Sequence, residues 1–167
     1  MKTVFVTVGT TKFDQLIESI TSPENILKDR GYERLVLQVG KGSVLPTADS
    51  CPHISLEAYR FKSSIAEDIE RSDLVISHAG AGSCLETLGA GKPLLVVVND
   101  TLMDNHQLEL ARQLYVDSHL LYCTCRYEKC LLSVIPSFLL ENVIPMQDNC
   151  TLNQPLLLLI IPFLLHV

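Results

Sequence analysis

The sequence lacks the motifs of several common nucleotide-handling and hydrolytic sites. It has no Asp-x-Asp motif, and so no evident carboxylate pair to hold a metal ion on a nucleotide diphosphate. It has no GxxxxGK[ST] phosphate loop and no GxSxG elbow, which argues against ATP or GTP hydrolysis and against a serine hydrolase. Its six cysteines include no CxxC pair, so we expect them to be reduced. We predict a site without a bound metal and without a cofactor.

Basic charge and long apolar runs are also scarce. The 13 basic residues are outnumbered by 19 acidic ones, and the net charge of −6 argues against a nucleic-acid binder. The N-terminal segment 1–11 alternates like a strand and ends without a signal-peptidase site, so we expect a cytosolic protein. The longest apolar run, 156–167, is interrupted by Pro162 and falls short of the roughly 20 residues that a membrane-spanning helix needs.

What the sequence does contain is a series of short runs rich in Val, Ile and Leu. Four are nearly continuous, which is typical of strands buried on both faces of a parallel sheet. A fifth alternates, and a sixth, more weakly marked, would be the last strand. In chain order the six predicted strands are 3–8, 34–39, 53–59, 73–77, 93–98 and 119–123.

Segments with helical periodicity lie between most of these runs, at 12–20, 62–72, 83–90 and 105–116. Alternation of strands with helices predicts an α/β protein with a doubly wound, Rossmann-like parallel sheet. We expect one domain over residues 1–125. Residues 126–167 have four prolines and no amphipathic period, so we interpret them as a divergent apolar tail outside the fold. The alternatives are that the tail packs on the domain or contacts a membrane peripherally.

Ligands of doubly wound sheets bind beyond the carboxyl ends of the strands, and three segments are predicted to lie there. Gly9, Thr10 and Thr11 follow the first strand. Their amides and hydroxyls at a helix start suit a phosphate, although an ordinary turn with a threonine cap explains them equally well.

The second segment follows the strand 73–77. Gly80, Ala81, Gly82 and Ser83 open a helix whose dipole favours a diphosphate, and Ser83 is placed to cap that helix. The glycines resemble half of a dinucleotide fingerprint, with Asp100 near the position of its ribose-binding acid. The third glycine of that fingerprint is absent.

The third segment follows the strand 93–98. Asn105, His106 and Gln107 crowd mixed donors and acceptors at a helix start, which suits recognition of a sugar, or they merely cap the helix.

Taken together, segments 4–11, 73–99 and 104–111 resemble the catalytic subunits of the two-protein UDP-N-acetylglucosamine transferases of dolichol-linked oligosaccharide synthesis. That family is similar to the C-terminal half of MurG-like GT-B glycosyltransferases. The resemblance covers about residues 1–125 and includes the order and spacing of all three segments.

The resemblance implies an inverting, metal-independent transfer. UDP-N-acetylglucosamine would donate its sugar to the 4-hydroxyl of N-acetylglucosaminyl-diphospho-dolichol, giving a β-1,4 linkage. Glu86 would bind the ribose, residues 80–83 and 9–11 the diphosphate, and residues 105–107 the sugar. On physical grounds His78 is the candidate catalytic residue, placed near the charge that develops on the departing UDP, or else it only braces the loop.

The resemblance also implies a membrane-anchored partner subunit that supplies the acceptor domain at the cytosolic face of the endoplasmic reticulum. Family members end in an amphipathic helix that docks this partner, and the tail after residue 125 lacks one. An inactive variant of the subunit is therefore an alternative. A second alternative is a non-catalytic module that binds NAD or a flavin, against which the missing third glycine argues.

Overall fold

A six-stranded parallel sheet organises the chain. The computed structural model describes residues 1–22, 26–99 and 121–124. Every neighbouring pair of strands is parallel, and the order across the sheet is β3-β2-β1-β4-β5-β6. The strands are β1 (Lys2–Thr7), β2 (Tyr32–Gln38), β3 (Ser55–Tyr59), β4 (Leu74–His78), β5 (Leu94–Val98) and β6 (Leu121–Thr124).

Helices connect the strands and cover both faces of the sheet. They are α1 (Asp14–Thr21), α2 (Ile26–Asp29), α3 (Ala66–Arg71) and α4 (Ala81–Gly89), with a short 3-10 helix at Ala48–Ser50. The helix predicted over 105–116 lies outside the described residues. The strand order 3-2-1-4-5-6 is that of doubly wound nucleotide-binding folds, and its direction reverses between β1 and β4. The predicted doubly wound sheet is confirmed.

The core divides into two layers because successive residues of a strand point to opposite faces. Val4 and Val6 of β1 pack with Leu16 and Ile20 of α1, whereas Phe5 packs with Leu88 of α4 on the opposite face. β4 and β5 are buried along their whole length. Burial on both faces explains why the corresponding runs of the sequence are continuous rather than alternating.

The loops that follow β1, β2 and β3 are fastened to one another. The Lys41 amide donates to the Thr11 carbonyl at 2.9 Å, and the Ser43 amide donates to Asp14 Oδ1 at 2.8 Å. The guanidinium of Arg60 donates to the Gly42 carbonyl at 2.6 Å. These bonds hold the carboxyl edge of this half of the sheet in one arrangement.

Gly40 is the position where these loops pass closest to one another. Its φ of +52° is one that a side chain disfavours, and a Cβ built there would lie 2.4 Å from the Thr11 carbonyl oxygen and 2.7 Å from that of Gly9. Both of these atoms belong to the backbone, so neither can move without shifting its loop. Gly31 has a φ of +79° but open space around it.

We predict that Gly40→Ala is distinctly more destabilising than Gly31→Ala, which serves as the matched control. Each substitution incurs about 1 kcal/mol of left-handed backbone strain. Gly40→Ala adds about 1–3 kcal/mol of overpacking against fixed backbone. Urea denaturation of both variants measures the difference, and equal losses would contradict the close approach of the loops.

Candidate functional site

Two of the predicted ligand-binding segments meet where the strand order reverses. β1 and β4 pair in parallel from Val4 opposite Leu74 to Thr7 opposite Ser77, so their carboxyl ends lie side by side. The loop at Gly9 leaves β1 there, and Gly80 follows β4 at the start of α4. The site predicted for the diphosphate is thus formed by two neighbouring loops.

The imidazole of His78, the last residue of β4, fills the space between these loops. A Cβ built on Gly9 would lie 2.8 Å from His78 Cε1, and one built on Gly80 would meet His78 Nε2. Gly9 also has a φ of +58°, which favours glycine for a second reason. Both positions therefore need glycine as long as the ring occupies this space.

His78 is held firmly in the protein interior. Its carbonyl oxygen accepts hydrogen bonds from the Gly80 amide at 2.7 Å and from the Ser77 hydroxyl at 2.8 Å. The side chain is buried, and burial lowers the pKa of His78, with the Thr7 backbone only partly offsetting that effect. Nδ1 is buried without a hydrogen-bond partner among the described residues. The ring is therefore neutral at physiological pH.

The first turn of α4 has the character of an anion site. Gly80 is the N-cap and provides no side-chain cap, and within the described ranges nothing accepts a hydrogen bond from the amides of Ala81, Gly82 or Ser83. Three amide donors and the positive end of the helix dipole thus converge beside the His78 ring. The prediction that Ser83 caps this helix is wrong, because the helix begins two residues earlier and Ser83 lies within its first turn.

The loop after β1 has fewer free hydrogen-bond donors than the sequence predicted. The Gly9 amide donates to the Thr7 hydroxyl at 3.0 Å, and both the amide and the hydroxyl of Thr11 donate to the Val8 carbonyl, at 3.2 and 2.8 Å. In this loop Thr10 is exposed, and its polar groups have no hydrogen-bond partner in the described part of the chain. The loop also does not open α1, which begins at Asp14 with Phe13 as its N-cap.

The remaining predicted residues divide into those that the structure places and those that it does not. Glu86 lies on α4, exposed, and its carboxylate has no ion pair among the residues described. Asn105, His106 and Gln107 lie outside the described residues, as does Asp100. β5 pairs in parallel with β4 and ends at Val98, so the carboxyl ends of these two strands lie at the same edge of the sheet.

Sequence reasoning missed the loop after β2. Gly40 packs against the backbone of Gly9 and Thr11, so this loop supports the first of the two predicted phosphate-binding loops. The signal was the pair of glycines, Gly40 and Gly42, directly after a buried strand. The sequence offered no way to tell that they approach another loop and not a ligand.

Metal-ligating and nucleophilic side chains are scarce near the site. No group of three or more His, Cys, Asp or Glu suited to a metal ion occurs within the described residues. Cys84 is fully buried in α4, and burial raises the pKa of its thiol to about 12, so it is unsuited to act as a nucleophile. Cys51 and Cys84 are both free thiols. Among residues 1–22, 26–99 and 121–124 no helix has the length and apolar character to cross a bilayer.

Comparisons with known proteins identify relatives of the chain. The sequence profile of the glycosyltransferase family 28 C-terminal domain matches residues 3–140. The UDP-N-acetylglucosamine transferase subunit ALG13 of Homo sapiens is 58% identical over 132 residues, which are 78% of this chain. The match takes in only 12% of the length of that human relative.

Solved structures give the same relationship at the level of the fold. The NMR solution structure of ALG13 superimposes with a TM-score of 0.68 at 27% identity, covering 89% of this chain and 90% of that one. MurG of Acinetobacter baumannii shares the fold, with a TM-score of 0.61 at 16% identity, covering 86% of this chain and 42% of MurG. The family resemblance and fold class predicted from the sequence are confirmed.

We predict that Gly80→Ala disrupts the site while Gly82→Ala is tolerated by the fold. A methyl group at Gly80 collides with the buried His78 ring, and the overpacking is expected to cost about 1–3 kcal/mol. Nothing lies within 4 Å of a Cβ built on Gly82, two residues away. Thermal denaturation of both variants tests this, and equal stability would show that His78 is free to move aside.

We also predict that His78 makes stability depend on pH. Its folded pKa lies below the unfolded value of 6.5, so the unfolded chain takes up a proton first as pH falls. The contribution is complete above about pH 6.5 and is lost below it, by up to about 1.4 kcal/mol per pH unit until the folded pKa is reached. The free energy of unfolding, measured by urea denaturation at several pH values, should fall less steeply in His78→Gln than in the native sequence.

His53 provides the matched control because it is exposed. The variant His53→Gln should keep the steep pH dependence of the native protein. The comparison uses slopes, so any stability that His78→Gln loses at all pH values does not affect it. Identical slopes in the native protein and His78→Gln would contradict a buried, neutral imidazole.

Proposed function

Because the chain belongs to the glycosyltransferase family 28 C-terminal domain family, we propose that it is the donor-binding subunit of a two-protein N-acetylglucosaminyltransferase. The donor is UDP-N-acetylglucosamine, as the name of the human relative states for that protein. Residues 1–125 form the donor-binding domain, and residues 126–167 form a divergent tail. The three unpaired amides at the start of α4, at the reversal point of the sheet, are the observation that carries this proposal.

The proposed reaction is the transfer of a second N-acetylglucosamine to N-acetylglucosaminyl-diphospho-dolichol. The 4-hydroxyl of the acceptor attacks the anomeric carbon of the donor sugar, the bond from that carbon to the diphosphate breaks, and UDP leaves. Attack from the face opposite the leaving group inverts the anomeric carbon and gives a β-1,4 linkage.

The start of α4 supports a metal-independent departure of UDP. Negative charge develops on the diphosphate as the bond breaks, and the amides of Ala81, Gly82 and Ser83 are fixed in place before the reaction begins. The helix dipole adds partial positive charge at the same point. In the neighbouring loop after β1, Thr10 is the residue whose amide and hydroxyl remain available to donate to the diphosphate.

His78 acts in this proposal by bracing the two loops. Its ring is buried and neutral between Gly9 and Gly80, so a variant that shrinks the ring would let both loops shift. A general base must come within hydrogen-bond distance of the acceptor hydroxyl, and His78 is only 8% exposed. We therefore assign the base to a membrane-anchored partner subunit that carries the acceptor site at the cytosolic face of the endoplasmic reticulum.

Glu86 is the proposed ribose ligand, and its exposure makes it testable without loss of the fold. We predict that Glu86→Ala weakens UDP binding about tenfold, or about 1.4 kcal/mol, through loss of charge-assisted hydrogen bonds. Isothermal titration with UDP measures the change, and the unfolding curve should be unaltered. Glu18→Ala, an exposed glutamate of α1, is the control. An unchanged affinity for UDP in Glu86→Ala would remove Glu86 from the site.

Saturation-transfer NMR on the folded chain tests the donor assignment directly. With UDP-N-acetylglucosamine and NAD offered together, we expect transfer to the uridine and N-acetyl protons, displaced by UDP but not by NAD. Selective binding of NAD would support a non-catalytic dinucleotide module instead. Donor binding without transfer, after addition of a membrane partner and the lipid acceptor, would identify the chain as an inactive variant.

A further inference from the structure

Exposed apolar side chains gather on two neighbouring loops at the carboxyl edge of the sheet. Apart from Met1, the large apolar residues exposed in the described part of the chain are Val44 (66%), Leu45 (42%) and Phe61 (53%). We call these three residues the edge patch. Val44 and Leu45 follow β2, and Phe61 follows β3. Isolated apolar residues on a surface are ordinary, whereas exposed apolar residues on adjacent loops can together form a surface that binds a protein or a membrane.

The protein holds Phe61 outward between two anchored neighbours. Arg60 donates to the Gly42 carbonyl at 2.6 Å, which joins the loop of Phe61 to the loop of Val44 and Leu45. Lys62 pairs with Asp68 at 2.8 Å and lies over the Tyr59 ring at 4.7 Å from its centre. The backbone on both sides of Phe61 is therefore fixed, while its ring remains exposed.

The loop of Val44 and Leu45 is fastened in the same way. The Ser43 amide donates to Asp14 Oδ1 at 2.8 Å, and the Lys41 amide donates to the Thr11 carbonyl. Pro46, next in the chain, is buried. Both parts of the edge patch thus lie on loops that are hydrogen-bonded to the rest of the domain.

The two segments that carry the edge patch are basic, opposite in sign to the net charge of the chain. Segments 40–47 and 60–65 contain Lys41, Arg60 and Lys62 and no carboxylate, whereas the whole chain has a net charge of −6. Two carboxylates reach these loops, and each has a cation of its own: Asp68 pairs with Lys62 and Asp14 pairs with Lys12. Within the described ranges no carboxylate pairs with Lys41 or Arg60. Exposed apolar side chains beside cations that have no ion pair are complementary to a membrane of anionic lipids, which has a negatively charged surface and an apolar interior.

We propose that the edge patch docks the protein directly on an anionic lipid membrane. Phe61, Val44 and Leu45 enter the boundary between head groups and acyl chains, and exposed Lys41 faces lipid phosphates, while the half-buried Arg60 adds positive charge behind it. Docking at this edge brings the reversal point of the sheet, two strands away, close to the membrane surface. This inference goes beyond the proposed function, since binding to lipid requires neither donor nor transfer.

Vesicle sedimentation of the full chain tests the proposal. The native protein should bind vesicles of phosphatidylcholine and phosphatidylserine, and should bind phosphatidylcholine alone much less. Because the attraction is partly electrostatic, added salt should weaken it. Phe61→Ser combined with Val44→Ser should reduce the partition coefficient at least about tenfold, since two apolar side chains no longer leave water.

Charge variants separate the edge patch from the rest of the chain. Lys41→Glu should weaken binding at least about fivefold. Lys28→Glu makes the same charge change on α2, which precedes β2 and so lies toward the opposite edge, and it should bind like the native protein. Urea denaturation of every variant confirms that the fold is intact.

Two outcomes would overturn the proposal. If the native chain does not bind anionic vesicles, the edge patch is a surface for another protein. If the native chain and the edge-patch variants bind equally well, the lipid contact lies elsewhere, with the apolar tail 126–167 as the alternative. Failure of UDP binding with vesicle binding intact would contradict the proposed function and leave this inference standing.

Discussion

The packing of one buried imidazole between two glycines is the contact on which the site depends. His78 ends β4 and fills the space that a side chain on Gly9 or Gly80 would need. The ring is buried and neutral, so it acts as a spacer of fixed size between the loops. The sheet brings β1 and β4 together, but the ring sets how far apart their loops lie. The geometry offered to a ligand at the reversal point therefore follows from His78, even though the ring need not touch that ligand.

The two loops held apart by His78 differ in what they leave available. The loop after β1 uses the amides of Gly9 and Thr11 for its own hydrogen bonds, which makes it rigid but removes donors from a ligand. The start of α4 leaves three amides unpaired, because a helix cannot satisfy its first donors internally and Gly80 provides no cap. The loop after β1 therefore keeps few donors beyond Thr10, whereas the start of α4 offers three, so a diphosphate bound as proposed would depend mainly on α4.

The fold could be predicted from the sequence because a parallel strand that is buried on both faces has a continuous run of apolar residues. Four of the strands follow from such runs, whereas Ser55–Tyr59 followed from an alternating run and Leu121–Thr124 from a weakly marked one. The start of α4 could not be placed, because Gly80-Ala81-Gly82 reads as a loop, whereas the helix includes Ala81 and Gly82 and leaves Ser83 without a capping role. The engagement of Gly9 and Thr11 within their own loop and the contact of Gly40 with it depend on atoms distant in sequence, which no local pattern encodes. The roles of Asn105, His106 and Gln107 stay predictions.

The free amides of α4 and the exposed apolar side chains of the edge patch occur at the same carboxyl edge of the sheet. Parallel strands direct all their following loops to one edge, so features useful to a ligand and features useful to a surface must share it. Here they separate along the strand order: the amides of α4 and the His78 spacer lie at β1 and β4, and the edge patch lies at β2 and β3. The bonds from Lys41 to Thr11 and from Arg60 to Gly42 join the loops of the two regions. A surface bound at β2 and β3 would therefore contact loops that are bonded directly to the loop beside the candidate anion site.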